Sequence, residues 1–122
     1  MEKISMNVKS NIWLEIDGQV VISAWRVRLL EAIQQTGSIS QAAKVMNIPY
    51  RRAWQKIQES EERLGIKLVE TQTGGIGGGG AQLTPECKKI MAKYGSLTEG
   101  ISTLLQTRFK EIFFKETKRD IA

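Results

Sequence analysis

One run of the chain, Gly37 to Leu68, constrains the fold more tightly than any other: GSISQAAKVMNIPYRRAWQKIQESEERLGIKL. Ser38 and Gln41 stand in the capping-box relation, a hydroxyl at the N-cap and an amide three residues on. Ile39, Ala42, Ala43 and Met46 then recur at helical spacing, and the two alanines keep that face low enough for another helix to cross it closely. Asn47-Ile48-Pro49 breaks the pattern as a turn. Pro49 suits the first position of a second helix, which runs to Leu64 and stops at Gly65. Two helices joined by so short a turn form a helix-turn-helix.

The second helix is polarised along its length. Tyr50, Ala53, Trp54, Ile57 and Leu64 cluster on one side, and Arg51, Arg52, Gln55, Glu59 and Glu62 on the other. Basic and amide side chains occupy its N-terminal half, while Glu59, Glu61 and Glu62 follow. That order suits a helix entering the major groove of duplex DNA by its N-terminal end, with the acids held away from the phosphates. Arginine can bridge O6 and N7 of guanine or bind phosphate, and the sequence leaves both open for Arg51 and Arg52. The net charge of +5 over 122 residues agrees with an anionic partner. Histidine is absent and Cys87 is the only cysteine, so His-based triads, internal disulfides and soft metal sites are excluded. No catalytic pair, metal site or cofactor motif emerges, and a non-enzyme is expected. Neither a signal peptide nor a membrane-spanning run is visible, so the expected compartment is the cytoplasm, with no membrane partner.

The flanks complete an expectation of a mainly α fold with a small β component, one domain over residues 1–122. Met1 to Ser10 is polar and unpatterned, a loose arm. Ile12, Leu14 and Ile16 alternate with Trp13, Glu15 and Asp17, and Asp17-Gly18 suits a type I′ turn into a returning strand, Gln19 to Ile22. Ser23 caps a helix from Ala24 to Thr36 whose stripe holds Trp25, Leu29 and Ile33 and whose outer side holds Arg26 and Arg28. Trp13 and Trp25 are expected in the core. Ile66, Leu68 and Val69 read as a strand, and Ala81-Gln82-Leu83 as its partner. Six of the seven residues from Gly74 to Gly80 between them are glycine, and no Gly-Lys-Ser/Thr follows as a phosphate loop requires. Two strands around such a tip form a wing. Thr84-Pro85-Glu86 starts a long helix to about Lys115. Ile90, Tyr94, Leu97, Ile101 and Leu104 follow 4-3-4-3 spacing on it, a seam suited to a partner helix. Cys87 has no activating neighbour and is expected to be buried and inert.

Three stretches, GSISQAAKVMNIPYRRAW, ERLGIKLVE and TGGIGGGGAQLT, resemble the N-terminal DNA-binding domain of ModE-type molybdate-responsive regulators, itself related to the LysR-type winged helix-turn-helix. The resemblance runs from Asn11 to about Phe113, dividing the chain into a DNA-binding region over 11–83 and a dimerisation helix over 84–115. It implies a homodimer on double-stranded DNA, with the second helix of the motif in the major groove and the wing on the backbone or minor groove. On matching positions it implies DNA contacts at Ser38, Ser40, Gln41, Tyr50, Arg51, Arg52 and Gln55, and at the wing glycines Gly75, Gly77 and Gly78. Trp54 matches too, but helix arithmetic turns it inward. The full regulators carry molybdate-binding domains beyond the long helix, where this sequence ends, so molybdate sensing is not carried over and no small-molecule effector is named. The alternative is a protein-interaction module that pairs with another regulator through its long helix, motivated by the acids on the second helix.

Overall fold

The computed structural model describes residues 5–72 and 79–114. Strands β1 (Trp13–Ile16) and β2 (Gln19–Ser23) form an antiparallel hairpin. Helices α1 (Ala24–Thr36), α2 (Ile39–Met46) and α3 (Tyr50–Leu64) follow. A second antiparallel pair, β3 (Val69–Gln72) and β4 (Gly80–Leu83), leads into α4 (Pro85–Phe113). The order is that of a winged helix-turn-helix with an N-terminal hairpin and a long closing helix.

The hairpin turns as its sequence demands. Asp17 and Gly18 both take positive φ, 52° and 78°, the type I′ signature. Leu14 pairs with Ile22 but Glu15 pairs with Val20, so Val21 is an extra residue in β2. This bulge lets two consecutive residues, Val21 and Ile22, both face the core. Trp13 is not in the core: it is 47% exposed, and its indole N–H donates to Glu15 Oε2 at 2.7 Å. The period of two already set it on the face opposite Leu14, and only one face of a covering hairpin is buried. Trp25 is partly buried against the core. The arm before the hairpin is tied down rather than loose where it is described. The Val8 carbonyl accepts from Gln106 Nε2 at 3.1 Å, and the Ile12 carbonyl from the Tyr94 hydroxyl at 2.6 Å, which lays residues 8–12 along α4.

The caps of the three-helix unit follow its hydroxyls and left-handed residues. Ser23 accepts from the Arg26 amide and Ser38 from the Gln41 amide. Gly37 and Gly65 end α1 and α3 with φ of 78° and 72°. Pro49 sits one position earlier than expected. It occupies the N-cap of α3 with ψ 145°, and its carbonyl receives the amides of Arg52 and Ala53. With no side-chain hydrogen-bond acceptor, it supplies a preset φ instead of a capping bond. Ala42, Ala43 and Ala53 are all at most 2% exposed and let α2 and α3 meet closely. Around them Leu29, Leu30, Ile33, Ile57 and Leu68 close one core.

Arg26 departs from the expectation that it faces solvent. It is 8% exposed and reaches across to α3, donating to the Lys56 carbonyl at 2.8 Å, Ser60 Oγ at 2.9 Å and Glu59 Oε1 at 3.0 Å. Ser60 passes the connection on, its hydroxyl donating to the Val21 carbonyl of β2 at 2.8 Å. One guanidinium therefore joins the hairpin, α1 and α3.

The wing base is held to this unit by similar means. Glu61 Oε2 accepts the amides of Leu68 and Val69 at 2.8 and 3.1 Å. Those amides face α3, so the ladder begins at Val69 and not at Ile66. The Ala81 amide donates to the Gly37 carbonyl at 2.8 Å, and the Thr84 hydroxyl donates to the Lys67 carbonyl while accepting from the Cys87 amide. Helix α4 starts inside the core, with Cys87 and Tyr94 buried, then runs out of it. Leu97, Ile101 and Leu104 are 43%, 42% and 58% exposed. Gly95 and Gly100 leave it unbroken, and a Cβ at either would meet nothing within 4 Å. No helix among the described residues is long and apolar enough to cross a membrane.

Arg26→Ala should lower unfolding stability by about 2–3 kcal/mol, because it strips three bonds and leaves polar partners on α3 unpaired. Urea titration with an unchanged midpoint would contradict this anchor. The Arg26 hydrogen bond holds the Glu59 carboxyl below its ordinary pKa, against the opposing effect of burial, with Lys56 and Arg63 adding to the lowering. Stability from this depressed group is present above the unfolded pKa and lost as pH falls through the folded one. Glu59→Gln should therefore flatten the acid side of the stability–pH curve, and a curve parallel to that of wild type would argue against the linkage.

Candidate nucleic-acid interface

Helical spacing divides the N-terminal half of α3 into three outward strips around the buried line of Ala53 and Ile57. Arg51 and Gln55, one turn apart, lie opposite that line and are fully on the solvent side. Tyr50 and Trp54 incline toward the wing. Tyr50 is 52% exposed, Trp54 is half-buried, and their rings meet edge to face at 6.3 Å. Arg52 and Lys56 incline toward the hairpin. The polar residues of this half thus project as a ridge.

A hollow runs along each flank of the ridge. On the wing side it is lined by Ser38, Ser40, Tyr50, Trp54, Thr71 and Gly79. That hollow brings together the start of α2, the start of α3 and the wing base, which are far apart in sequence. Ser38 is engaged there as the cap of α2, with its hydroxyl oxygen on the Gln41 amide at 2.9 Å, while Ser40 and the Gln41 side chain are exposed. The expected sites Gly75, Gly77 and Gly78 lie outside the described residues. On the hairpin side the second hollow is lined by Trp13, Trp25, Arg28, Arg52 and Lys56 among others.

The acids of α3 are mostly engaged within the fold. Glu59 sits 3.0 Å from Arg26 Nη2, 3.6 Å from Lys56 Nζ and 3.9 Å from Arg63 Nη1. Glu61 holds two backbone amides and lies 3.8 Å from Lys67 Nζ. Only Glu62 of the three is exposed. The acids that suggested a protein partner are, for Glu59 and Glu61, structural. Cys87 is wholly buried, and burial pushes its thiol up to about 11, helped by the charge of Glu61. A protonated thiol 3.8 Å from the Met91 sulfur is a packing group, not a nucleophile.

The seam on α4 splits in two. Ile90 and Tyr94 pack into this chain's own core beside Val21 and Ile22, whereas Leu97, Ile101 and Leu104 lie beyond it and are exposed. Sequence reading missed Arg26, Glu59, Ser60 and Glu61 as parts of the frame. A signal for Arg26 was present: Arg26, Leu29, Leu30 and Ile33 share the 3-4-7 spacing of the buried stripe, so the guanidinium had to lie over it.

Residues 25–88, just over half of the chain, match the family of bacterial regulatory helix-turn-helix proteins of the lysR type. The molybdenum-pterin-binding protein MopB of Rhodobacter capsulatus is 41% identical over 91 residues, covering 75% of this chain and 34% of that protein. The molybdenum transport protein ModE of Azotobacter vinelandii is 42% identical over 84 residues, 69% of this chain and 31% of that one. The DNA-binding transcriptional dual regulator ModE of Escherichia coli K12 is 36% identical over 94 residues, 77% and 36% respectively. The chain thus spans about a third of the length of these relatives. The crystal structure of ArgP from Mycobacterium tuberculosis superposes with a TM-score of 0.48 at 17% identity, over 71% of this chain and 30% of that one, and adds nothing to the assignment. A capped alanine-lined helix, a short turn, a polarised second helix and a two-stranded wing base, matched across residues 25–88, place the chain in the LysR family of bacterial regulatory helix-turn-helix proteins.

Proposed function

We propose that the chain is a sequence-specific transcriptional regulator that binds duplex DNA as a homodimer, with the N-terminal half of α3 in the major groove. The observation that carries this reading is the ridge: Arg51, Arg52 and Gln55 are exposed together on the first turns of α3, while Glu59 and Glu61 on the same helix are held by internal partners. A groove lined by phosphates favours that end, where the cations are free to reach it. The DNA-binding ModE among the relatives points the same way. Ser40, Gln41 and Tyr50 stand beside the ridge, where they can take phosphate or sugar contacts. Such a regulator works in the cytoplasm, where bacterial DNA lies.

Support for the homodimer comes from α4. Leu97, Ile101 and Leu104 are spaced i, i+4, i+7 on the part of α4 that lies beyond the core, and Ile112 continues the apolar strip at 58% exposure. An apolar stripe of this spacing is what a two-helix seam requires. Two copies joined there would present two ridges to successive turns of one DNA face, and the operator would carry matching symmetry.

Binding of fluorescent duplexes tests the reading. Arg51→Ala and Arg52→Ala should each weaken binding to a selected site about ten- to a hundredfold, the cost of one bidentate base contact or a strong phosphate contact. Both side chains are exposed, so the unfolding midpoint should not move. Full affinity in the double variant would refute α3 as the reader. Ile101→Asp with Leu104→Asp should give a folded monomer in sedimentation experiments; a variant that still sediments as a dimer places the interface elsewhere.

A further inference from the structure

Apart from Arg52, the hollow on the hairpin side of the ridge has no part in the reading above. Its lining brings together Arg26 and Arg28 from α1, Arg52 and Lys56 from α3, and Trp13 and Trp25. No Asp or Glu among the described residues lines it. Among the described residues Arg28 and Arg52 make no ion pair, and Lys56 is only loosely offset by Glu59 at 3.6 Å. Four cationic side chains from two helices line one open hollow. Glu59 offsets Arg26 and Lys56 but neither Arg28 nor Arg52, and the excess positive charge is one that an anion relieves.

We propose that this hollow receives the sugar-phosphate backbone of one DNA strand, so that the hairpin flank clamps the duplex opposite the wing. The proposal rests on α3 being the major-groove helix. A helix seated in the major groove has one strand's backbone on each side, because the groove is only about 12 Å wide. The ridge has a hollow on each side, and among the described residues only the hairpin-side one is lined by cations, of which Arg28 and Arg52 make no ion pair. Trp13 supplies an exposed apolar wall beside those cations. Its N–H is already bound to Glu15, which leaves its face for the deoxyribose edge. The far side of the same hairpin carries the opposite sign. There Asp17, Glu59 and Glu62 line a third hollow with Arg63. This change of sign across β1–β2 fixes which part of the hairpin a phosphate can approach, namely the end nearest Arg28 and Arg52.

Arg28 provides the test, because it is exposed and stands off the recognition helix. Wild type, Arg28→Ala, Arg28→Glu and Lys93→Ala are titrated against a random-sequence duplex and against a selected site at several salt concentrations. Lys93 lies exposed on α4 and controls for net charge. Arg28→Ala should bind both duplexes about five- to tenfold more weakly, with a salt slope shallower by about one, the mark of one lost phosphate contact. Arg28→Glu should weaken both further, and Lys93→Ala should match wild type. A wild-type slope in Arg28→Ala, on DNA that wild type binds, overturns the clamp and leaves the α3 reading standing. A loss confined to the selected site with an unchanged slope also overturns it, since Arg28 would then contact a base. If wild type binds neither duplex at low salt, the α3 reading fails and the clamp with it.

Discussion

The Arg26 guanidinium is the constraint on which the geometry of this protein depends. It is a buried charge, and a buried charge is tolerated only when its donors are satisfied and a counter-charge is near. Here a backbone carbonyl, a serine hydroxyl and a carboxylate, all from one turn of α3, meet those demands. The bonds are directional, so they fix the rotation of α3 about its own axis in a way that apolar packing alone does not. Ser60 extends the constraint to the hairpin through the Val21 carbonyl, made available by the bulge in β2.

Fixing the middle of α3 decides what its ends can do. With Glu59 drawn toward Arg26 and Glu61 drawn onto the amides that begin the wing, the central acids of the helix are neutralised inside the fold. The N-terminal turns carry no such ties and project Arg51 and Gln55 away from the core. Stability and the proposed DNA contact thus share residues: the groups that hold the helix in place also remove the negative charge that would oppose a phosphate. The cap at Pro49 fits the same logic, since a preset φ at the entry of α3 holds its first turn without using a side chain.

Most of the fold was legible in local chemistry. Asp17-Gly18, Gly37, Ser38, Gly65 and Thr84-Pro85 each demand one backbone geometry, and each obtained it. What local rules could not supply were partners distant in sequence. Trp13 is expected in the core, although the strand period places it on the face opposite Leu14. Arg26 is expected outside the stripe of Trp25, Leu29 and Ile33, although it shares the spacing of the buried Leu29, Leu30 and Ile33; its partners lie 30 to 34 residues away. The arm before the hairpin is unpatterned because its hold on α4 runs through backbone carbonyls, which any residue provides. On α4 the 4-3-4-3 spacing was real but served two ends: Ile90 and Tyr94 continue the domain core, and the strip beyond them is left exposed. Of the candidate site, the ridge on α3 followed from periodicity. The hairpin-side hollow did not, because Arg28 and Lys56 meet only once α1 and α3 have packed.

The central claim is that the N-terminal half of α3 reads DNA and its acidic half does not. Amide chemical-shift mapping of isotope-labelled protein titrated with its selected duplex tests this residue by residue, without altering a side chain. The account predicts the largest shifts at Arg51, Arg52 and Gln55, extending to Ser40 and Gln41, with Glu61 and Glu62 undisturbed. Shifts concentrated on Glu59 to Arg63 or on α4, with the first turns of α3 silent, would contradict it.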